Sequence, residues 1–268
     1  MFDYNIERHY SGSVTGEERR AQTIQLLNDN QGVSIADLSA RFAVSEMTVR
    51  RDLDAMQAEG RLQRIHGGAV PVYAVGVEPR YAAKQRVNAA QKERIARHAA
   101  RQLVRDGDVL LLEGGTTVTA MAPHLAQHSG LTVVTNGLYT TNALRELLPE
   151  ASVMCTGGIL RDISYTFVGP SVETFLEGFH ADTLFVSATG LTVAQGFTDP
   201  NPMEAQVRRW MARAAGRVVA LVDSSKFGEV SLTRVAAASD VDIIVTDSGA
   251  PDEMVTELRA LGVDVQIV

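Results

Sequence analysis

The sequence predicts an α/β protein in two units: a small helical unit near the N-terminus and a larger unit built on a mostly parallel sheet. Two observations carry this prediction. Amphipathic helices separated by a turn of about three residues lie within residues 33–58, which is the outline of a helix-turn-helix. From residue 109 onward, apolar strand-like runs alternate with helical stretches, a pattern that favours parallel strands covered by helices on both faces.

Composition limits the classes of protein that the chain can belong to. Of 268 residues, 45% are hydrophobic and 21% are charged, which is enough apolar material for a sizeable core. No apolar run reaches the roughly 18 residues of a membrane span, and the start lacks the basic-then-apolar order of a signal peptide. We therefore expect a cytoplasmic protein. With one cysteine, Cys155, and no metal-ligand spacing, we expect no disulfide, metal or cofactor.

Charge is distributed unevenly along the chain. The formal net charge is −7, but residues 1–70 carry −2, residues 71–105 carry +6 and residues 106–268 carry −11. A basic segment between two more acidic ones can meet an anionic partner locally, although the whole chain is acidic. Such a segment is equally consistent with an ordinary solvated surface.

The first unit is predicted over residues 16–71, with a helix-turn-helix at 33–52. Val49, Leu53 and Met56 repeat at helical spacing; if they face the core, the outward side chains near the start of that helix can enter a DNA major groove. Residues 61–70 alternate and contain Gly67 and Gly68, which suits a hairpin or wing. A small helical bundle that binds protein is the alternative. The candidate DNA-binding residues are Ser45, Met47, Thr48, Arg50, Arg51, Arg64 and His66.

A linker is predicted over residues 72–91, because this segment contains proline and no sustained apolar period. The second unit is predicted over residues 92–268 and begins with a helix from Lys92 to Arg105. The predicted strands are Val109–Leu112, Leu131–Val134, Val153–Cys155, Leu184–Val186, Val218–Val222, Ile243–Val245 and Val263–Val268. Helices are predicted at Leu138–Leu148, Pro202–Ala215 and Asp252–Leu261.

Polar and glycine-rich segments follow these strands at their carboxyl ends, where open α/β sheets bind ligands. Lys226 is the only lysine after Lys92, so it is the natural charge for a phosphate, while Glu113 can accept from sugar hydroxyls. Thr116 and Thr117 open a helix whose positive end favours phosphate. Turns, helix caps and surface charge are the alternative reading of these segments. The candidate ligand-binding residues are Glu113, Gly115, Thr116, Thr117, Thr135, Asn136, Gly157, Gly158, Asp223 and Lys226.

Two stretches of the first unit resemble the DeoR family of bacterial transcriptional regulators: Ser45-Glu-Met-Thr-Val-Arg-Arg-Asp-Leu53 and Arg64-Ile-His-Gly-Gly-Ala69. The second unit is similar to the sensor domain of that family in the segments 113–117, 135–136, 157–161, 168–170 and 223–228. The resemblance implies a winged helix-turn-helix followed by an effector domain related in fold to ribose-5-phosphate isomerase and coenzyme A transferases. It also implies repression of a carbohydrate-catabolism operon, relieved by a phosphorylated sugar. One departure is Glu113, where the family usually has Asp.

A contrasting hypothesis is an enzyme: a sugar-phosphate isomerase or acyl transferase fused to a DNA-binding module. Related isomerases carry Asp-Gly-Ala-Asp-Glu after a central strand, whereas this chain has Ser187-Ala-Thr-Gly-Leu191. Because the acidic base is missing, we expect no catalytic residues and no enzyme. A pure oligomerisation domain would leave the polar loops without a purpose. The expected partners are an operator in double-stranded DNA, a phosphorylated sugar, and further copies of the chain in a dimer or tetramer, with no membrane.

Overall fold

The computed structural model describes residues 14–30, 32–59, 61–65, 67–71 and 80–268. The chain divides into two compact units, residues 1–72 and 73–268. The first unit contains three helices and three short strands: α1 (Gly16–Asn30), β1 (Val33–Ser34), α2 (Ile35–Phe42), α3 (Glu46–Ala58), β2 (Leu62–Ile65) and β3 (Gly68–Pro71). This is a winged helix-turn-helix, as the sequence predicted.

Each helix of the first unit begins at a side chain that binds its free backbone amides. Thr15 and Glu18 form a reciprocal capping box: Thr15 Oγ1 accepts from the Glu18 amide at 3.3 Å, and Glu18 Oε2 accepts from the Thr15 amide at 3.0 Å. Ser34 and Ser45 cap α2 and α3 through their hydroxyl oxygens. The helices share one apolar core, which includes Leu27, Ile35, Leu38, Phe42, Val49, Leu53 and Met56.

The wing is a three-stranded antiparallel sheet in the order β1-β3-β2. Val33 pairs with Ala69 and Ser34 with Gly68. A Cβ atom at Gly68 would lie 2.1 Å from the Val33 carbonyl oxygen, so only glycine lets β3 approach β1 this closely. The Gly67-Gly68 pair therefore serves the strand pairing that joins the wing to the helix-turn-helix.

The second unit contains eight helices and twelve strands within residues 80–268. Its helices are α4 (Tyr81–Arg86), α5 (Ala89–Leu103), α6 (Thr116–Thr119), α7 (Ala122–Leu125), α8 (Leu138–Leu147), α9 (Pro170–Leu176), α10 (Pro202–Arg213) and α11 (Asp252–Ala260). Its strands are β4 (Val109–Leu112), β5 (Thr132–Thr135), β6 (Ser152–Cys155), β7 (Ile159–Leu160), β8 (Phe167–Val168), β9 (Thr183–Val186), β10 (Gly190–Thr192), β11 (Gly196–Asp199), β12 (Val218–Leu221), β13 (Thr233–Ala236), β14 (Ile243–Thr246) and β15 (Asp264–Ile267).

Seven of these strands form one sheet in the order β15-β14-β12-β9-β4-β5-β6, and every neighbouring pair is parallel. Alternate residues face opposite sides: Leu110 and Leu112 pack in one apolar cluster with α5 and α8, whereas Leu111 packs in another with α9, α10 and α11. The predicted mostly parallel sheet, covered on both faces, is confirmed. The chain order reverses at β4, whose neighbours are β9 and β5, and ligand crevices form at such a reversal.

The predicted linker, residues 72–91, differs from the structure in its second half. From Arg80 onward this segment belongs to the second unit: Tyr81 and Ala83 of α4 are buried, and α5 begins at Ala89 rather than at Lys92. The helix was missed because a six-residue helix with two buried residues shows no apolar period. Residues 72–79 lie outside the described ranges.

Two small sheets were also not predicted. One is the antiparallel sheet β10-β11-β13, and the other is the two-stranded ribbon β7-β8. Their strands have two to four residues, too few for a sequence period to show. None of the helices in the described ranges is long and apolar enough to cross a membrane.

Candidate functional site

The outward face of α3 is set by its cap and by its buried stripe. Ser45 Oγ accepts from the Thr48 amide at 3.2 Å, which fixes the first turn. Val49 and Leu53 point into the core, so Met47 on the opposite side is 60% exposed. An exposed apolar side chain at the start of a recognition helix can contact a thymine methyl group.

Two arginines on this face differ in their surroundings. Arg50 is exposed and forms an ion pair with Glu46 one turn away, with Nη2 and Oε2 at 3.1 Å. Arg51 is exposed, and its side chain has no hydrogen bond or ion pair with any residue that the structure describes. An exposed pair of this kind is weak, so both guanidinium groups can reach a phosphate or a base edge.

Arg64 of the wing was predicted as a DNA-binding residue, but in the structure its side chain also packs against α3. Its Nη1 donates to the Arg50 carbonyl oxygen at 3.1 Å and also to the Asp54 carboxylate. These contacts hold β2 against α3, so part of its charge is already neutralised by Asp54. The remaining predicted wing residue, His66, lies outside the described residues.

Sequence reasoning missed the ion pair that anchors α3 to α1. Arg19 Nε donates to Asp52 Oδ2 at 2.5 Å, and both side chains are largely buried. Arg20 lies 3.8 Å from the other oxygen of Asp52. In the run Arg50-Arg51-Asp52, the two arginines face solvent whereas the aspartate holds the helix in place. Opposite charges 33 positions apart give no local signal in a sequence.

At the chain reversal of the large sheet, Glu113 joins the ends of β4 and β9. It is 2% exposed; its Oε1 accepts from Arg208 at 2.9 Å and its Oε2 accepts from the Ser187 hydroxyl at 2.9 Å. A Cβ atom at Gly115 would lie 2.1 Å from Ser187 Oγ, so glycine is required beside this contact. Both carboxylate oxygens of Glu113 thus accept hydrogen bonds within the protein, and its contact with sugar hydroxyls stays a prediction.

Arg208 is the centre of a buried charge cluster. Besides Glu113 it contacts Asp199 through Nη1 and Glu204 through Nη2, the latter at 3.6 Å. Arg161 forms a second ion pair with Glu204. Burial opposes ionisation, but Arg208 and Lys84 hold the pKa of Glu204 at about 2. Glu204 is therefore ionised, and all three carboxylates of this cluster are paired with a guanidinium group.

The other predicted side chains of β4 and β5 lie beside this cluster. Asn136 Oδ1 accepts from the Gly114 amide at 3.0 Å, and Thr135 Oγ1 accepts from the Gly137 amide at 3.0 Å, so both side chains shape the loops. Thr117 is buried and Thr116 is half-buried, and together they open the four-residue helix α6.

Gly157 and Gly158 do not join the others. They follow β6, the edge strand, which lies four strand positions from β12 and therefore roughly 19 Å from the strand end where Asp223 and Lys226 lie. Both have positive φ, 64° and 116°, which favours glycine. Their role in the structure is to turn the chain.

All three lysines of the sequence meet at the end of β12. Lys226 follows that strand, whereas Lys92 comes from α5 and Lys84 from α4. Burial lowers the pKa of Lys92 to about 7, Asp223 opposes the shift, and both other lysines add to it. Burial disfavours ionisation of Asp223, but Lys226 and a Ser225 hydrogen bond bring its pKa below the usual range.

This lysine group (Lys84, Lys92 and Lys226) was found only in part from the sequence. Lys226 was identified, but Lys84 fell in the predicted linker and Lys92 was assigned only to a docking helix. The signal available was the rarity of lysine, three residues in 268. Among the described residues, no group of three or more histidine, cysteine, aspartate or glutamate side chains could hold a metal ion.

A winged helix-turn-helix followed by an α/β unit with polar side chains at its strand ends is typical of a DNA-binding regulator with a sensor domain. Comparison with known proteins agrees: the DeoR-like helix-turn-helix domain matches residues 19–73, and the DeoR C terminal sensor domain matches residues 87–248. The chain belongs to the DeoR family of DNA-binding transcriptional regulators. It is a regulator rather than an enzyme, and the names of its relatives support a repressor.

Relatives cover nearly the whole chain. The HTH-type transcriptional regulator GolR of Listeria innocua is 34% identical over 93% of this chain and 98% of its own length. The putative aga operon transcriptional repressor of Escherichia coli O157:H7 is 35% identical over 95% of each chain, and the transcriptional repressor AccR of Agrobacterium fabrum is 37% identical over 87% and 90%. Among solved structures, a ribose 5-phosphate isomerase from Methanocaldococcus jannaschii is similar over 52% of this chain and 55% of the isomerase chain. The identity is 17% and the TM-score is 0.39.

Proposed function

We propose that the chain represses a carbohydrate-catabolism operon and leaves its operator when a phosphorylated sugar binds beside the lysine group. The observation that carries this proposal is the lysine group itself. The second unit, residues 73–268, has a net charge of −5 and gathers all of the chain's lysines at one strand end. Buried or half-buried ammonium groups near each other favour an anion between them.

The rest of the proposed site follows from its neighbours. Thr116 and Thr117 are the hydroxyl donors for the phosphate, and Asp223 and Asn136 lie toward the sugar. Glu113 acts indirectly, because Arg208 and Ser187 occupy its oxygens. At the DNA, Arg50 and Arg51 contact phosphates or bases, with Ser45, Met47 and Thr48 beside them and Arg64 supporting the helix from the wing.

Release of DNA requires that the ligand prefer an arrangement of the two units that fits the operator poorly. The basic segment 71–105 connects the units in sequence and carries +6, so it is the element through which we expect ligand binding to weaken DNA binding.

One recognition helix reads few base pairs, so we also propose a symmetric dimer, or a tetramer, on repeated half-sites. Light scattering at micromolar concentration tests this assembly, and a monomer that binds the operator with full affinity would contradict it.

The experiment that tests the ligand site is release of the full chain from a fluorescent operator duplex, selected by the protein from a random pool. Titration with ribose 5-phosphate, fructose 6-phosphate and glycerol 3-phosphate should lower the anisotropy with at least one of them. Lys226→Ala should keep operator affinity but lose this release. Arg213→Ala, which removes an exposed cation from α10, is the matched control and should respond like wild type. An unchanged titration in Lys226→Ala would refute the site.

A further inference from the structure

Helix α4 and the start of α5 form one wall of the proposed site. The Tyr81 amide donates to the Ile163 carbonyl oxygen at 2.8 Å. Asn88 Nδ2 donates to Asp223 Oδ1 at 2.8 Å and to Ser225 Oγ at 3.2 Å. These bonds attach residues 80–88 at one end to the loop between β7 and β8 and at the other end to the site loop that follows β12.

Two buried polar atoms of this wall have no hydrogen-bond partner among the described residues: the Tyr81 hydroxyl and Asn88 Oδ1. Tyr81 is 3% exposed, and burial raises the pKa of Tyr81 to about 12 against a smaller lowering by the nearby Thr119 hydroxyl, which already hydrogen-bonds the Gly115 carbonyl oxygen and the Thr140 hydroxyl. The Tyr81 hydroxyl is therefore neutral and can donate. Buried polar atoms in native proteins almost always have partners. Two such atoms on one wall point to a bound molecule that supplies them.

The chemistry of that molecule is limited by the hydrogen bonds and the charge interactions that each of these groups can form. Asn88 Oδ1 can only accept, so it needs a donor such as a hydroxyl, whereas the Tyr81 hydroxyl can donate or accept. Lys92 and Lys226 share one buried carboxylate, Asp223, so the two ammonium groups can bind a further anionic group. A phosphorylated sugar supplies hydroxyls and an anion together, whereas inorganic phosphate supplies only the anion.

We propose that Tyr81 and Asn88 bind the hydroxyl groups of the ligand and thereby determine which phosphorylated sugar the sensor accepts. This inference rests on the proposed function and adds to it. The proposed function needs only the lysine group. In the present inference the ligand also binds residues 80–88, which lie within the basic segment 71–105.

The test is isothermal titration of the full chain with ribose 5-phosphate, fructose 6-phosphate, glycerol 3-phosphate and inorganic phosphate. Tyr81→Phe removes the hydroxyl and keeps the ring, which stacks on Tyr139 at 4.5 Å. Asn88→Gly removes the amide and keeps the left-handed backbone at φ 53°. Each should weaken the tightest-binding sugar phosphate about tenfold, as expected for one lost hydrogen bond, and leave inorganic phosphate within about twofold. Tyr139→Phe, on a ring that is 43% exposed, is the control and should bind like wild type.

The outcomes separate this inference from the proposed function. Wild-type affinity for the sugar phosphate in both variants would overturn the inference and leave the proposed function standing. An equal loss for inorganic phosphate would also overturn it, because the variants would then have disturbed the lysine group. If the wild-type chain binds none of the three sugar phosphates, the proposed function fails and the inference fails with it.

Discussion

Replacing Lys92 by methionine should make the ligand-free protein more stable at pH 7. Lys92 is 5% exposed, and burial lowers its pKa from 10.5 to about 7. The unfolded chain keeps its proton at pH 7, whereas the folded chain gives up about half of it. This difference opposes folding by about 4 kcal/mol. Methionine has a similar length and no charge, so it removes the opposing contribution.

The expected gain is smaller than that figure, because Lys92 Nζ also donates to the Lys84 carbonyl oxygen, a bond worth about 1 kcal/mol. We expect a net gain of about 1–3 kcal/mol in the free energy of unfolding. Between pH 7 and 10.5 the unfolded chain binds more protons than the folded chain, so wild-type stability rises with pH. The advantage of the variant should therefore shrink over the same window.

Urea denaturation at pH 7, 8, 9 and 10 measures both effects. Fluorescence of Trp210, the only tryptophan, reports unfolding of the second unit. Arg97→Met, on the exposed side of α5, is the matched control and should stay within about 0.5 kcal/mol of wild type. The reasoning is refuted if Lys92→Met is less stable than wild type at pH 7, or if the difference between them does not change with pH.

Three further changes test other parts of the structure. Arg51→Ala should weaken operator binding by about 1–3 kcal/mol without changing the melting temperature, and wild-type anisotropy titrations would contradict its assignment to the recognition face. Asp52→Ala should destabilise the first unit by about 1–3 kcal/mol, because Arg19 loses its partner; an unchanged circular-dichroism melt would show that the pair is dispensable. Arg208→Leu should destabilise the second unit by about 3–5 kcal/mol, because Glu113 and Asp199 lose their cation, and a wild-type urea midpoint would exclude this.

Much of the fold was predictable because the large sheet is buried on both faces. Each of its strands then reads as an apolar run, such as Val109–Leu112, between polar loops. The wing was predictable from the alternation of residues 61–70. The ribbon of Ile159–Leu160 and Phe167–Val168 was not, because strands of two residues are decided by tertiary pairing rather than by local pattern.

The proposed site was also predictable only in part from the sequence. Residues that follow a strand, such as Asp223 and Lys226, could be identified, because a parallel sheet brings its carboxyl ends to one edge. Tyr81, Asn88 and Lys92 could not, since they precede the sheet in the chain and reach its edge only through folding. Glu113 was identified by position, but its ion pair with a residue 95 positions away was not visible.

Net charge was a poor guide to the ligand because the carboxylates nearest the lysine group are already paired. The buried carboxylates at or near the strand ends are Glu113, Asp199, Glu204, Asp223 and Asp247, the last of which accepts from the Ser224 and Gly249 amides. Arg208 and Arg161 neutralise most of the first three, and Lys226 acts on the fourth. Burial lowers the pKa of Lys92 to about 7, Asp223 opposes this shift, and the two other lysines add to it. An anion placed beside Lys92 compensates its charge directly, so an acidic unit can bind a phosphate without any excess of basic residues.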